Sequence, residues 1–393
     1  MENYFADLHI HIGAGEKGEP VKITASRQLN FANILEESAG RKGLDMVGII
    51  DCASPVVIRD IENLLARGEM VELPEGGIKY HDHLVVILGA EVESREENGG
   101  QAHYLAYFPH LEELKEFSDI MKQYITNINL SSQSTGLNGG QILQIVDSTG
   151  GILVPAHAFT PHKSFYGRSF TSYREVFSAE EWKKIPAIEL GLSADTELAD
   201  YLAELRDKTF ISNSDAHSLG KIAREYNQLR MEKLNFKEFK LALEGKAGRE
   251  VVSNYGLDPR LGKYHRSYCL QCEESFPLNS PVYTCPLCGK EDLIIGVKDR
   301  ILKIADRDKS ESPEGRPPYI HQVPLTDVPG VGSKTLKLLL ENFGTEMNIL
   351  HRVEIDELKS IVNPRVAENI ARARSGKAEI KPGGGGIYGK VMG

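Results

Sequence analysis

Asp7, His9 and His11 stand at every second position of ADLHIHIGAG, separated by Leu8 and Ile10. Alternate residues of a strand share a face, so the three polar groups converge on one surface. Further apolar runs end in the same chemistry: Asp51 in GIIDC, Glu91 in LGAEVE, His103 in AHYLAY, His157 in VPAHAFTP, and Asp215 with His217 in NSDAH. Any one histidine at a strand end reads equally as a hydrogen-bonded structural residue. An HxH and a distant DxH, each closing an apolar run, point together to one metal centre. Imidazole and carboxylate suit zinc, manganese or iron, and a glutamate such as Glu91 can bridge two ions. Two ions so held activate a water and stabilise both oxygens of a phosphoryl transfer, so hydrolysis of a phosphate ester is the expected reaction.

A second cluster is local. Cys269, Cys272, Cys285 and Cys288 form two CxxC knuckles with the spacing of a closed four-thiolate site for one structural zinc. Such a site has no open position for catalysis. Cys52 stands apart, either a thiolate ligand or a small buried residue. Ahead of the knuckles, Lys263, His265 and Arg266 in LGKYHRSYC suit a nucleic-acid backbone or an ordinary solvated loop. Further on, Pro329-Gly330-Val331-Gly332-Ser333-Lys334 leads into an amphipathic helix. Gly330 and Gly332 let backbone N–H groups approach an anion at the helix start, and Lys334 and Lys337 add charge in its first turn. This resembles a helix-hairpin-helix, with a degenerate second copy in IVNPRVAENIARARSGK that lacks the glycine pair.

The elements that must position these groups follow an α/β rhythm of short apolar runs and longer helical patterns from Met1 to about Leu257. Several runs are nearly continuous in apolar residues, as parallel strands covered on both faces are, and polar groups at strand C-terminal ends mark the active rim of a barrel. The breaks divide the chain into a metal-dependent phosphoesterase domain (1–258), a zinc-ribbon-like four-cysteine module (259–310), a Pro-rich linker (311–323), a helical DNA-binding domain (324–380) and a flexible glycine-rich tail (381–393). The chain of 393 residues is 41% hydrophobic and 26% charged, which excludes disorder as its main state. It carries no apolar run long enough to span a membrane and no signal-peptide pattern at MENYFADLH, so a cytoplasmic, nucleoid-associated protein without membrane partners is expected. The net charge of -10 speaks against nucleic acid until its distribution is read: from Arg260 onward there are 20 Lys+Arg against 17 Asp+Glu, so the acidity lies in the first two thirds.

These motifs resemble the PHP superfamily of metal-dependent phosphoesterases over Met1 to about Leu257. That resemblance implies a distorted seven-stranded β/α barrel. It matches His9 and His11 to the opening HxH, Glu91 to the bridging glutamate, His103 and His157 to later ligand motifs, and Asp215 and His217 to the closing DxH. Cys52 falls where the family often has a histidine, so two barrel ions are better supported than three; zinc is favoured, with manganese or magnesium as alternatives. Asp51 or His217 supports an outer shell or a third ion, and Asp7 falls to a supporting or strand-start role. The order of barrel, four-cysteine insertion and helical tail, with GLDPRLGKYHRSYCLQC and ELGLSAD, is similar to the endonuclease Q family of DNA repair nucleases. This implies nicking 5′ to deaminated bases (uracil, hypoxanthine, xanthine) and at abasic sites. Damaged DNA is the implied partner, alongside replication or repair proteins, with Asp215, His217 and Glu91 as catalytic residues and the damaged base flipped into a pocket. On that reading Lys163 and Arg168 in AFTPHKSFYGRSF clamp phosphates or are plain surface charges. Ser193 and Asp195 approach the flipped nucleotide or cap the next helix. The alternatives are a PHP phosphatase or exonuclease acting on small esters or undamaged ends, and a catalytically inactive DNA-binding scaffold.

Overall fold

In a computed structural model of the chain, residues 1–276 and 281–392 are described; the parts of the four-cysteine module and tail at 277–280 and 393 lie outside them. Strands β1 (Glu2–Ile10), β2 (Met46–Ile49), β3 (Met70–Glu72), β4 (Ile78–Tyr80), β5 (Leu84–Glu93), β6 (His103–Phe108), β7 (Ile152–Pro155), β8 (Ala187–Glu189), β9 (Thr209–Ile211), β10 (Tyr226–Met231) and β11 (Glu250–Gly256) make up the first two thirds. The fold is mixed α/β. β1 pairs parallel with β2 on one side and antiparallel with β10 on the other. β2 pairs parallel with β5, whose far edge is shared between β4 over its first half and β6 over its second.

The reading of the nearly continuous apolar runs as parallel strands is corrected at β6 and β7. Only Ser94–Ala102 separates β5 from β6, too short for a crossover, so the two run antiparallel with Glu93 opposite His103. β7 then pairs antiparallel with β6. His103 therefore sits at the start of its strand yet on the same rim as the C-terminal end of β5.

β8 and β9 form a separate parallel pair. Isolated backbone contacts lie beside it: Ala158 N donates to the Glu189 carbonyl at 2.8 Å, and Ala216 N donates to the His9 carbonyl at 3.2 Å while His11 N donates to the Ala216 carbonyl at 3.1 Å. Side chains also stand in for a ladder here. Asn227 accepts from Ser212 N and donates back to its carbonyl, both at 2.9 Å, while Asn254 donates to the Phe210 carbonyl. These amides satisfy backbone groups that a regular strand would have paired.

β12 (Tyr268–Cys269), β13 (Glu274–Ser275) and β14 (Leu293–Ile294) form the small sheet of the cysteine module. Its base is Asp299, fully buried, which accepts from Ser267 N at 2.8 Å and pairs with Arg266 at 2.9 Å.

The linker and tail differ from their sequence reading. Ser312 donates to Asp200 at 2.6 Å, Arg316 pairs with the same carboxylate at 2.9 Å over the Phe210 ring, and β15 (Tyr319–His321) joins β11 in parallel. The helical region is docked. Val323, Leu325 and Val328 belong to the same hydrophobic core as the α/β domain, Lys42 meets Glu346 at 3.0 Å, and Phe5 stacks on His351 at 4.4 Å. The tail forms a hairpin, β16 (Ile380–Lys381) against β17 (Lys390–Val391). Glycine here serves close approach: a Cβ on Gly389 would lie 2.5 Å from the Lys381 carbonyl oxygen. Among the described residues no helix is long and apolar enough to cross a membrane.

Candidate metal centre and its cleft

Strand ends bring two triads together at the rim. His9, His11 and Asp215 place one ligand atom each within 4.8 Å of one another, and Glu91, His103 and His157 do the same. Glu91 lies between them. Its Oε1 is 2.9 Å from His103 Nδ1, 3.4 Å from His157 Nε2 and 3.7 Å from His9 Nε2, while Oε2 is 3.8 Å from His11 Nε2. Asp215 Oδ1 faces both His9 and His11, at 3.6 and 3.3 Å. Two neighbouring groups of nitrogen and oxygen donors, with the carboxylate of one 3.7 and 3.8 Å from the histidines of the other, fit borderline divalent cations. His157 and Asp215 both hold positive φ, 28° and 46°, a strained backbone that aims these side chains at the centre.

Each first-strand histidine is oriented from behind. His9 Nδ1 lies 2.9 Å from Glu189, which also accepts from His157 N at 2.6 Å and Asn213 Nδ2 at 2.8 Å. His11 Nδ1 lies 3.1 Å from Asp51, whose same oxygen accepts from Ile12 N at 2.6 Å. Glu93 serves His103 at 3.2 Å and pairs with Lys163 at 2.6 Å. Such carboxylates fix the ring and its tautomer, leaving the other nitrogen as a ligand. Burial opposes protonation of His9, yet Glu189 and Asp215 outweigh it and carry its pKa up to about 10. Burial also opposes ionisation of Glu91, but His103 and Lys22 hold it well below the usual carboxylate range.

Asp7 takes a different role from its two neighbours. Its oxygens accept from Ser214 N at 3.0 Å and Ala223 N at 2.8 Å, pinning both ends of the loop that carries Asp215. Burial raises its pKa to about 6 against those hydrogen bonds. His217 packs its ring 4.5 Å from His11 and bonds the Asp215 carbonyl at 3.0 Å. Cys52 lies outside the cluster: its Sγ donates to the Ile49 carbonyl at 3.1 Å, and burial pushes the thiol upward.

Sequence reasoning missed Lys22, whose ammonium lies 2.8 Å from Glu91 Oε2 and 2.5 Å from Ser132 Oγ. It lies in a loop with no periodic signal. It also missed Glu93 and Glu189. Glu93 was within reach, since it follows Glu91 by two positions on the same strand face.

The centre forms the floor of a cleft of about 710 Å³ whose walls include Lys163, Ser193, Lys263, Tyr264 and Tyr388. Arg168 is exposed on the segment that follows Lys163. His265 is not available to a backbone phosphate: it is buried, and desolvation lowers its pKa to about 4. Asp195 caps the helix Thr196–Ala199, accepting from Leu198 N, whereas Ser193 reaches the cleft.

The four cysteine sulfurs also lie within 4.8 Å of one another. Cys272 N points to Cys269 Sγ at 3.4 Å and Cys288 N to Cys285 Sγ at 3.5 Å, the turn of a knuckle in each half. In the helical region, Gly330 has φ of 90° and Gly332 caps the helix Ser333–Phe343, where Lys334 and Lys337 are exposed. The degenerate copy turns at Asn363, which caps the helix Pro364–Arg374, and Asn369 bonds across to the Pro329 carbonyl at 3.0 Å.

No model of a known protein family matches the chain. Over its full length it is 45% identical to an uncharacterised protein, YqxK, of Bacillus subtilis, covering all of that protein. It is similar to the crystal structure of a lesion-specific endonuclease from Pyrococcus furiosus, PfuEndoQ, at 34% identity and a TM-score of 0.84, covering 100% of this chain and 95% of that one. A crystal structure of endonuclease Q with a 27-mer duplex bearing an abasic lesion at its active site matches at 33% identity and a TM-score of 0.83, covering 100% of this chain and 96% of that one.

Proposed function

This chain belongs to the endonuclease Q family, and from that premise we propose that it is a metal-dependent DNA repair endonuclease that cuts the phosphodiester 5′ to deaminated bases and at abasic sites. The observation that carries the reading is Glu91, shared between two triads of ligand type at the floor of an open cleft. The surrounding strands are read as a distorted seven-stranded β/α barrel, β1, β2 and β5 to β9. The bonds Ala158 to Glu189 and Ala216 to His9 support its closure.

His9, His11 and Asp215 would hold one divalent ion and His103 with His157 a second, with Glu91 between them. Bound ions supply an activated water and charge for the leaving oxygen, with zinc favoured by the donors. Glu189, Asp51 and Glu93 hold the imidazoles in register, and the Asp7 clamp keeps Asp215 in place. His217, its ring 4.5 Å from that of His11, would pass a proton to or from the reacting phosphate. Lys163, on the cleft wall and paired with Glu93, would contact a phosphate of the bound strand. The cysteine module would carry one structural zinc, and the paired turns at Gly330 and Asn363 would grip the duplex backbone without reading sequence.

The test is to incubate the metal-loaded protein with duplexes carrying uracil, hypoxanthine or an abasic site, beside an undamaged duplex and a phosphomonoester. Nicking confined to damaged strands, lost on chelation, is expected. Equal survival of damaged and undamaged strands overturns the repair reading, and cleavage of the monoester alone points to a phosphatase.

A further inference from the structure

The C-terminal hairpin is fastened to the opening segment of the cysteine module, just ahead of its first knuckle. Gly383 N donates to the Arg260 carbonyl at 2.8 Å, Gly389 N to Leu261 at 2.9 Å and Gly386 N to Lys263 at 3.2 Å. A Cβ on Gly383 would meet Gly389 N at 2.5 Å, and one on Gly384 would meet Ser275 Oγ at the same distance. The glycines therefore permit a tight seat rather than a loose end. What the hairpin presents from that seat is Tyr388, still 42% exposed and lining the same cleft as His11, Glu91 and Asp215.

Tyr388 has aromatic and cationic company. Lys263 Nζ lies 5.5 Å from the Tyr388 ring and 5.1 Å from that of Tyr264, and Tyr264 meets His162 edge-on at 5.4 Å. None of these groups contributes to the two triads at the floor.

We propose that Tyr388, with Lys263 and Tyr264, forms a platform that receives the base of the unstacked nucleotide whose phosphodiester lies at the metal centre. The inference rests on the nuclease reading and deepens it. Aromatic faces bind any nucleobase by stacking, and the ammonium between them favours an electron-rich ring or a base carbonyl. The cleft volume is within the range that encloses a ligand of nucleotide size. An abasic nucleotide has no ring for the platform, so its cutting depends on the phosphate and metal contacts alone. Tyr388 is thus a specificity-determining residue rather than a catalytic one.

The experiment compares single-turnover nicking of a hypoxanthine duplex and a tetrahydrofuran abasic duplex by the full-length, metal-loaded chain. Tyr388→Ala and Tyr388→Leu should lower the ratio of the hypoxanthine rate to the abasic rate by about tenfold or more, the effect of losing one base–aromatic stack. Tyr388→Phe keeps the ring and should restore the ratio. A ratio that stays at the wild-type value in Tyr388→Ala and Tyr388→Leu overturns the platform, whether or not both rates fall together. So does failure of Tyr388→Phe to restore it. A wild-type chain that cuts neither duplex refutes the nuclease reading itself, visibly before any variant is made, and takes the platform with it.

Discussion

The rim centre draws six side chains from elements as distant as β1 and the loop after β9, whereas the four cysteines fall between positions 269 and 288. The cysteine cluster carries its own support, because each knuckle turns its backbone N–H groups toward its own sulfurs. The rim centre cannot. Its histidines are held by Glu189, Asp51 and Glu93, each from a different strand end, and burying so many ionisable groups is tolerated only because nearly all face a partner. The local cluster gathers its four sulfurs within one short stretch of chain, whereas the distributed one opens onto a cleft and is expensive to assemble.

Removing the shared carboxylate gives the largest contrast. Glu91→Ala should reduce nicking to the level of the metal-stripped protein while circular dichroism and the melting curve report a folded chain; wild-type rates in that variant would break the two-triad description. Cys269→Ser should do the reverse. Structural zinc in small four-ligand modules contributes apparent binding energies of about 10–16 kcal/mol, so its loss should melt β12 to β14. Hydrogen exchange across 268–294 would rise, while metal analysis finds the rim ions retained.

Changes behind the rim histidines should be milder. Glu189→Gln or Asp51→Asn is expected to weaken metal affinity or activity by roughly 10- to 100-fold, read by titration of the stripped protein. An unchanged affinity would show that the carboxylates neutralise charge without orienting the rings. The smallest effect is a proton. In the metal-free chain His9 titrates near 10, so at neutral pH it is charged and a cation must displace its proton. Affinity at the rim should therefore fall by about tenfold for each pH step below that value, and calorimetry in buffers of different ionisation enthalpy should show the release.

Much of the rim was legible because strands advertise polar residues placed between apolar ones. His9, His11, Glu91, His157 and Asp215 each interrupt or end such a run, and the structure gathers them with His103. Their supports were harder to see. Glu189 ends a run as they do, but nothing in AIELGL says which histidine it will face. Lys22 reaches Glu91 from a loop. His265 was misread because a basic aromatic stretch gives no sign of which member will be buried. The tail was misread for a related reason: glycine means freedom in an isolated chain and close approach in a packed one, and only tertiary contacts decide between them. Similarly, the Pro-rich linker gave no sign of the buried pocket that receives Arg316.

The position of β1 has a consequence for how the chain comes to be folded. It lies between β2 and β10, and 221 residues separate Ala6 from Asn227, which hydrogen-bonds to its carbonyl. During synthesis the opening strand must wait for most of the α/β domain to emerge before its second neighbour exists. Until then it is an apolar strand with one edge exposed, in a topology whose slow, long-range closure invites pairing with another nascent chain.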